Sequence, residues 1–230
     1  MLSSNVVQIA GVCDESEAEM LRNLGVRYLG FPLRLPVHHQ DLSEEHAGKI
    51  IQSLQPPTFG VVITYESEPH QVATLCASTG ASIVQLHGDF DVDALSDLKR
   101  LAPNLLIVKS LVIGLHSMES LERVVARCSR LVDAFITDTF DPETGASGAT
   151  GKTHDWRHSR RLVEMSDRPV ILAGGLRPEN VRRAILEVKP AGVDAHTGVE
   201  NAAGRKCPDK VERFVREAQA GFRLLAGDQA

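Results

Sequence analysis

The chain has 230 residues, 43% of them hydrophobic and only 4% aromatic, with 25 basic against 30 acidic side chains and a formal net charge of -5. That balance argues against nucleic-acid or anionic-membrane partners, and no apolar run approaches the ~18 residues of a membrane span. Four scattered cysteines (Cys13, Cys76, Cys128 and Cys207) without a CxxC pair argue against a zinc or disulfide scaffold and fit free thiols in a reducing compartment.

Apolar, β-branched runs alternate with helical spacing along the whole chain. Strands are expected near 5–10, 26–31, 59–64, 82–86, 105–110, 131–138, 169–173 and 192–196. Ala47, Ile50, Ile51 and Leu54 give a helix face behind Ser43 as N-cap. Val181, Ala184, Ile185 and Val188 repeat the pattern with Pro178 in the first turn, and Val211, Phe214, Val215 and Ala218 give the last helix, near Pro208. Eight strand–helix units without a linker predict an α/β chain folded as a single-domain (β/α)8 TIM barrel over residues 1–220, with a C-terminal tail at 221–230. An open doubly wound sheet is the alternative. The first strand leads into Gly11-Val12-Cys13-Asp14 and not a GxGxxG turn, and the glycines from Gly145 to Gly151 have the wrong spacing for a Walker loop. Met1 to Gly11 lacks a basic region followed by a long apolar stretch, so a cytoplasmic protein is expected.

In such a barrel the carboxyl ends of the strands carry the chemistry. Asp138 ends the sixth strand, where partial burial would raise its pKa and make it a general acid; capping of the following loop is the alternative. The segment from Phe140 to His154, with Gly145, Gly148 and Gly151, is long enough for a lid or for a plain surface loop. Gly174, Gly175, Thr197 and Gly198 follow strands seven and eight, the place where this fold commonly builds a phosphate site. His87 ends strand four and Lys109 strand five: substrate contacts, or a structural histidine and a paired lysine. Arg34, His38 and His39 lie after strand two, where an arginine fork could read a carboxylate.

Several stretches are specific. Val84-Gln85-Leu86-His87-Gly88, Ile136-Thr137-Asp138-Thr139 with Gly151-Lys152-Thr153-His154-Asp155-Trp156, Leu172 to Val181 (the pattern AGGLxPENV) and Gly192-Val193-Asp194 with Gly198-Val199-Glu200 resemble the phosphoribosylanthranilate isomerase family of tryptophan biosynthesis. The resemblance runs from Val7 to about Phe214. It implies a (β/α)8 barrel that carries out an Amadori rearrangement of a small phosphorylated sugar, without cofactor or metal, as monomer or homodimer. Asp138 would protonate the furanose ring oxygen, a cysteine at the end of strand one would take the C2 proton, and Gly174-Gly175 with Thr197-Gly198 would hold the phosphate.

Two positions depart from the family. Its strand-one pattern, roughly KICGI, reads Gln8-Ile9-Ala10-Gly11-Val12 here, so the basic thiol has become Ala10. Its SPR segment after strand two, whose arginine contacts the anthranilate, is replaced by Phe31 to His39. Cys13 is the first substitute base to consider, since it comes from the same strand end, with His38 or His39 next. The departures leave two other readings open: a divergent phosphosugar epimerase, lyase or condensing enzyme, with Lys109 as a Schiff-base candidate, and a non-catalytic phosphate-ligand binder.

Overall fold

The computed structural model describes residues 4–35, 42–88, 90–140, 142–143 and 151–227. Among these, eight parallel strands close a barrel in sequence order: β1 (Val6–Ala10), β2 (Tyr28–Leu33), β3 (Phe59–Thr64), β4 (Ile83–Leu86), β5 (Leu106–Ile113), β6 (Ala134–Thr139), β7 (Val170–Leu172) and β8 (Gly192–Ala195). The helices α1 (Glu15–Asn23), α2 (Glu44–Ser53), α3 (Pro69–Thr79), α4 (Val92–Leu101), α5 (Met118–Cys128), α6 (Trp156–Met165), α7 (Val181–Val188) and α8 (Pro208–Gly227) form the outer ring. Strand β8 pairs with β1 from Val6↔Gly192 to Ile9↔Ala195, which closes the sheet. No described helix is long and apolar enough to cross a membrane.

Alternation along the strands divides the core in two. Val6, Ala10, Val61, Val108, Ile136 and Ile171 point into the barrel, while Ile9, Leu29, Val62, Ile107, Phe135 and Val193 pack outward against the helices. The helix faces follow their sequence spacing. Ser43 caps α2, its Oγ accepting from the His46 N–H at 3.2 Å, and Val181, Ala184, Ile185 and Val188 of α7 are all buried. Pro178 stands in the turn before α7, not within its first turn.

Three boundaries differ from the sequence expectation. Val26 is buried, but its N–H bonds to Leu21 O in the turn after α1, so β2 starts later, at Tyr28. β5 continues to Ile113, which makes Lys109 an interior residue of that strand and not its end. α8 runs past the expected edge at 220 to Gly227, because Gly221 and Phe222 are buried and a Cβ on Gly221 would lie 3.1 Å from Ile185.

Candidate active site

Asp138, the penultimate residue of β6, shares the inner face with Ala134 and Ile136 and so enters the barrel mouth. Its Oδ1 accepts from the Thr139 N–H at 2.8 Å, and its Oδ2 lies 3.9 Å from His87 Nε2. His87 follows β4, is buried, contacts Ser110 Oγ through Nδ1 at 2.8 Å, and stands edge-on to Tyr65 with ring centroids 4.7 Å apart. Burial raises the Asp138 pKa and outweighs the opposing effects of His87, the Thr139 N–H and His196. A carboxyl whose pKa is raised by burial, fixed on a strand and aimed into the mouth, is placed as a general acid would be.

A second carboxyl lies below it. Asp194 of β8 is buried, and its pKa is raised to about 7 by desolvation first and by the charge of Asp138 second, against a hydrogen bond with Gln8 and the charge of Lys206. Gln8 in turn donates to Gln85 Oε1 at 3.0 Å, so β1, β4 and β8 meet in one polar layer inside the barrel. Asp194 Oδ1 has no hydrogen-bond partner among the described residues. Sequence reading gave Asp194 no role, although an aspartate within the wholly buried β8 is itself a signal.

The loops after β6, β7 and β8 interlock. Gly174 and Gly175 take φ of +95° and +61°, which a side chain disfavours. A Cβ on Gly174 would fall 2.2 Å from Thr139 Oγ1, and one on Gly175 would fall 2.6 Å from the Lys152 carbonyl carbon. Asn180, at the N-terminus of α7, donates to Gly175 O at 3.0 Å and accepts from the Arg177 N–H at 2.8 Å, tying the glycine turn to the helix. Thr197 opens a 3-10 turn (Thr197–Val199), and a Cβ on Gly198 would fall 1.9 Å from Leu176 O. His154 closes the β6 side: Nδ1 meets Thr139 Oγ1 at 2.8 Å and Nε2 meets Ser159 Oγ at 2.6 Å, with burial pulling its pKa to about 4. Two glycine turns therefore lie side by side at the ends of β7 and β8, with a helix N-terminus behind them.

The remaining sequence candidates are distributed differently. Ala10 is buried in the inner cluster beside Gly30 and Ile63. Cys13 is half-buried beside Asp14, Glu17 and Arg205; its N–H donates to the Glu17 carboxylate at 3.0 Å, and its Sγ lies 3.5 Å from Gly11 O. The Arg34 fork is closed on Glu44, with Nε to Oε1 at 2.8 Å and Nη2 to Oε2 at 3.2 Å, and Glu66 lies 3.6 Å away. Lys109 shares the outer face of β5 with Ile107 and Leu111, and its Nζ donates to Gly88 O at 2.9 Å. Strand parity thus turns Lys109 away from the mouth. His38, His39, Gly145 and Gly148 lie outside the described residues. One residue not foreseen joins the mouth: His196, directly after β8, with its ring over Gly11.

The model of the family described as N-(5'phosphoribosyl)anthranilate (PRA) isomerase matches residues 7–217. N-(5'-phosphoribosyl)anthranilate isomerase 2 of Methanosarcina mazei is 37% identical, over 94% of this chain and 95% of that protein. The enzyme of Methanothrix thermoacetophila is 36% identical, over 93% and 98%. Among solved structures, the phosphoribosyl anthranilate isomerase of Thermotoga maritima superposes with a TM-score of 0.79 at 29% identity, covering 94% of this chain and 99% of its own. Another, at 26% identity and a TM-score of 0.76 over 94% and 99%, is complexed with reduced 1-(o-carboxyphenylamino)-1-deoxyribulose 5-phosphate. The family match covers residues 7–217, the span that contains Asp138 and the glycine turns after β7 and β8. The chain belongs to the N-(5'-phosphoribosyl)anthranilate isomerase family, the isomerases of tryptophan biosynthesis.

Proposed function

We propose that this chain converts N-(5'-phosphoribosyl)anthranilate into 1-(o-carboxyphenylamino)-1-deoxyribulose 5-phosphate. The observation that carries the reading is the pairing of a buried Asp138, its pKa raised by desolvation, with the glycine turns of β7 and β8 on adjoining strands. On this reading the turns at Gly174-Gly175 and Thr197-Gly198, backed by the N-terminus of α7, take the phosphate. The sugar then lies across the mouth, with its ring oxygen toward Asp138. Transfer of the Asp138 proton to that oxygen breaks the C1–O bond and leaves C1 as an iminium to the anthranilate nitrogen. Loss of the C2 proton gives the enolamine, and reprotonation at C1 gives the amino-ketose. His87, anchored by Ser110, faces Asp138 and helps hold the carboxylate formed after transfer. The partner is a small phosphorylated sugar and the setting is the cytoplasm, as for a biosynthetic isomerase.

The test is turnover of phosphoribosylanthranilate by wild type and Asp138→Asn. The amide cannot supply the proton, so kcat is expected to fall by about 10²–10⁴-fold, with binding of the product analogue retained. An Asp138→Asn variant that turns over at the wild-type rate would remove Asp138 from the reaction.

A further inference from the structure

We infer that His196 is the general base of this isomerase, replacing from the end of β8 the group that Ala10 cannot supply from the end of β1. The inference rests on the isomerase reading above.

An aldose–ketose rearrangement needs a base for the C2 proton as well as an acid for the ring oxygen. Ala10 has no side-chain proton acceptor, and its methyl group is buried in the inner cluster beside Gly30. The strand beside β1 in the closed barrel is β8, and the two run in register from Val6 to Ile9. His196 is the first residue after β8 and lies over Gly11, the first residue after β1. A Cβ on Gly11 would fall 2.1 Å from Nε2, 2.7 Å from Cδ2 and 2.8 Å from Cε1. The ring therefore occupies the space that only a glycine at position 11 leaves open. His196, directly after β8, and Asp138, near the end of β6, stand at the same carboxyl-terminal end of the closed barrel.

The imidazole is oriented by a carboxylate that a buried lysine holds in place. His196 Nε2 is 3.3 Å from Glu200 Oε1, and the same carboxylate oxygen accepts from Lys206 Nζ at 2.5 Å, a side chain with no exposure. Burial raises the Glu200 pKa, but the hydrogen bonds of His196 and Lys206 outweigh it and bring it to about 2, so Glu200 is charged. A ring proton on Nε2, directed at Glu200, would leave the Nδ1 lone pair to accept the C2 proton, the arrangement in which a carboxylate orients a catalytic histidine. His196 itself is 25% exposed, so substrate has access to it.

The proton inventory closes. Asp138 gives its proton to the ring oxygen as the C1–O bond breaks. Nδ1 takes the C2 proton; the C2–H electron pair becomes the C1=C2 bond, and the iminium π pair returns to nitrogen. The imidazolium then gives its proton to C1, and the C2 hydroxyl, as it becomes the ketone, returns a proton to Asp138.

The experiment compares phosphoribosylanthranilate turnover, with protium and deuterium at C2, by wild type, His196→Ala, Cys13→Ser and the double variant His196→Ala/Ala10→Cys. His196→Ala is expected to lose about 10²–10⁴-fold in kcat with KM changed far less, and the double variant to recover at least tenfold of that loss. Deuterium at C2 should slow His196→Ala more than wild type as proton removal becomes limiting. The base assignment is overturned if His196→Ala keeps kcat within a few fold, or if only its KM rises, which would make His196 a phosphate contact. It is overturned equally if Cys13→Ser loses turnover and His196→Ala does not. A wild type active with an intact Asp138 dependence separates each of these from failure of the isomerase reading; a wild type without turnover overturns both.

Discussion

The two sides of the barrel mouth are held together in different ways. From β6 to β8 the loops close on glycines: Gly175 and Gly198 lie too near neighbouring backbone for a side chain, and Gly174 too near the Thr139 hydroxyl. From β1 to β2 the rim beyond the strands is joined by side-chain ion pairs: Arg34 with Glu44 and Glu66, and Arg205 with Asp14 and Glu17 beside Cys13. Backbone contact leaves little room for substitution, whereas an ion pair at a rim tolerates exchange. A phosphate is common to many substrates, and on the isomerase reading proposed above its grip falls to the fixed side. The group that removes a proton can move to a neighbouring strand tip if the acid and the phosphate stay in place, as the His196 inference requires.

The fixed side should also hold the larger energies, and Asp194 gives the strongest test. Its pKa is higher in the folded chain (about 7) than the ordinary 3.8, so between those values the folded state binds more protons than the unfolded one. Stability therefore falls as pH rises from about 4 to about 7 and is unaffected by this group above that. At ~1.36 kcal/mol per unit the loss is on the order of 4 kcal/mol. Asp194→Asn removes the titration, so its stability relative to wild type should increase across that window and then level off. Urea unfolding of both proteins from about pH 4 to 8.5 reads the difference directly. A gap independent of pH would show that Asp194 is not held protonated below neutrality.

The backbone interlock comes next in size. Gly198→Ala puts a methyl group against Leu176 O, and the β7 and β8 turns must separate to admit it. Overpacking of this kind costs about 1–3 kcal/mol, and because the strain falls on both turns to which the isomerase reading assigns the phosphate, affinity for inorganic phosphate should weaken with stability. Phosphate titration and thermal unfolding of the same variant check both. Loss of stability with unchanged phosphate affinity would separate the interlock from the anion site.

These cases also show what the sequence could and could not reveal. Asp138 was legible because its place, after an apolar β-branched run, is enough to put it in the mouth of a barrel. The glycines of β7 and β8 were legible for the same reason. Lys109 was misplaced because the apolar run continues through Leu111, Val112 and Ile113; once β5 extends to Ile113, parity sets Lys109 beside Ile107 and Leu111 on the outer face. The raised pKa of Asp194 depends on Asp138, Gln8 and Lys206, and the position of His196 depends on Gly11. Each of those contacts joins distant parts of the chain that only barrel closure brings together. Strand ends are local information, and what faces them is not.

Arg34 provides the smallest expected effect and the sharpest test of the exchangeable side. Its position after β2 suits a fork for the substrate's aromatic carboxylate, yet that fork is already closed on Glu44, with Glu66 beside it. One guanidinium shared by two carboxylates leaves a local charge of about -1, which repels a third carboxylate unless one pair opens. The pair is partly exposed, at 27% for Arg34 and 39% for Glu44, so solvent screening holds its worth to about 0.2–1 kcal/mol. Arg34→Met should therefore lower stability by no more than about 1 kcal/mol and raise KM for phosphoribosylanthranilate by less than about threefold. A rise in KM of tenfold or more at unchanged kcat would mean that the fork releases Glu44 when substrate arrives. In that event Glu44→Gln, by freeing the guanidinium beforehand, should lower KM, and the β1–β2 side would read the substrate's carboxylate through a pair that opens.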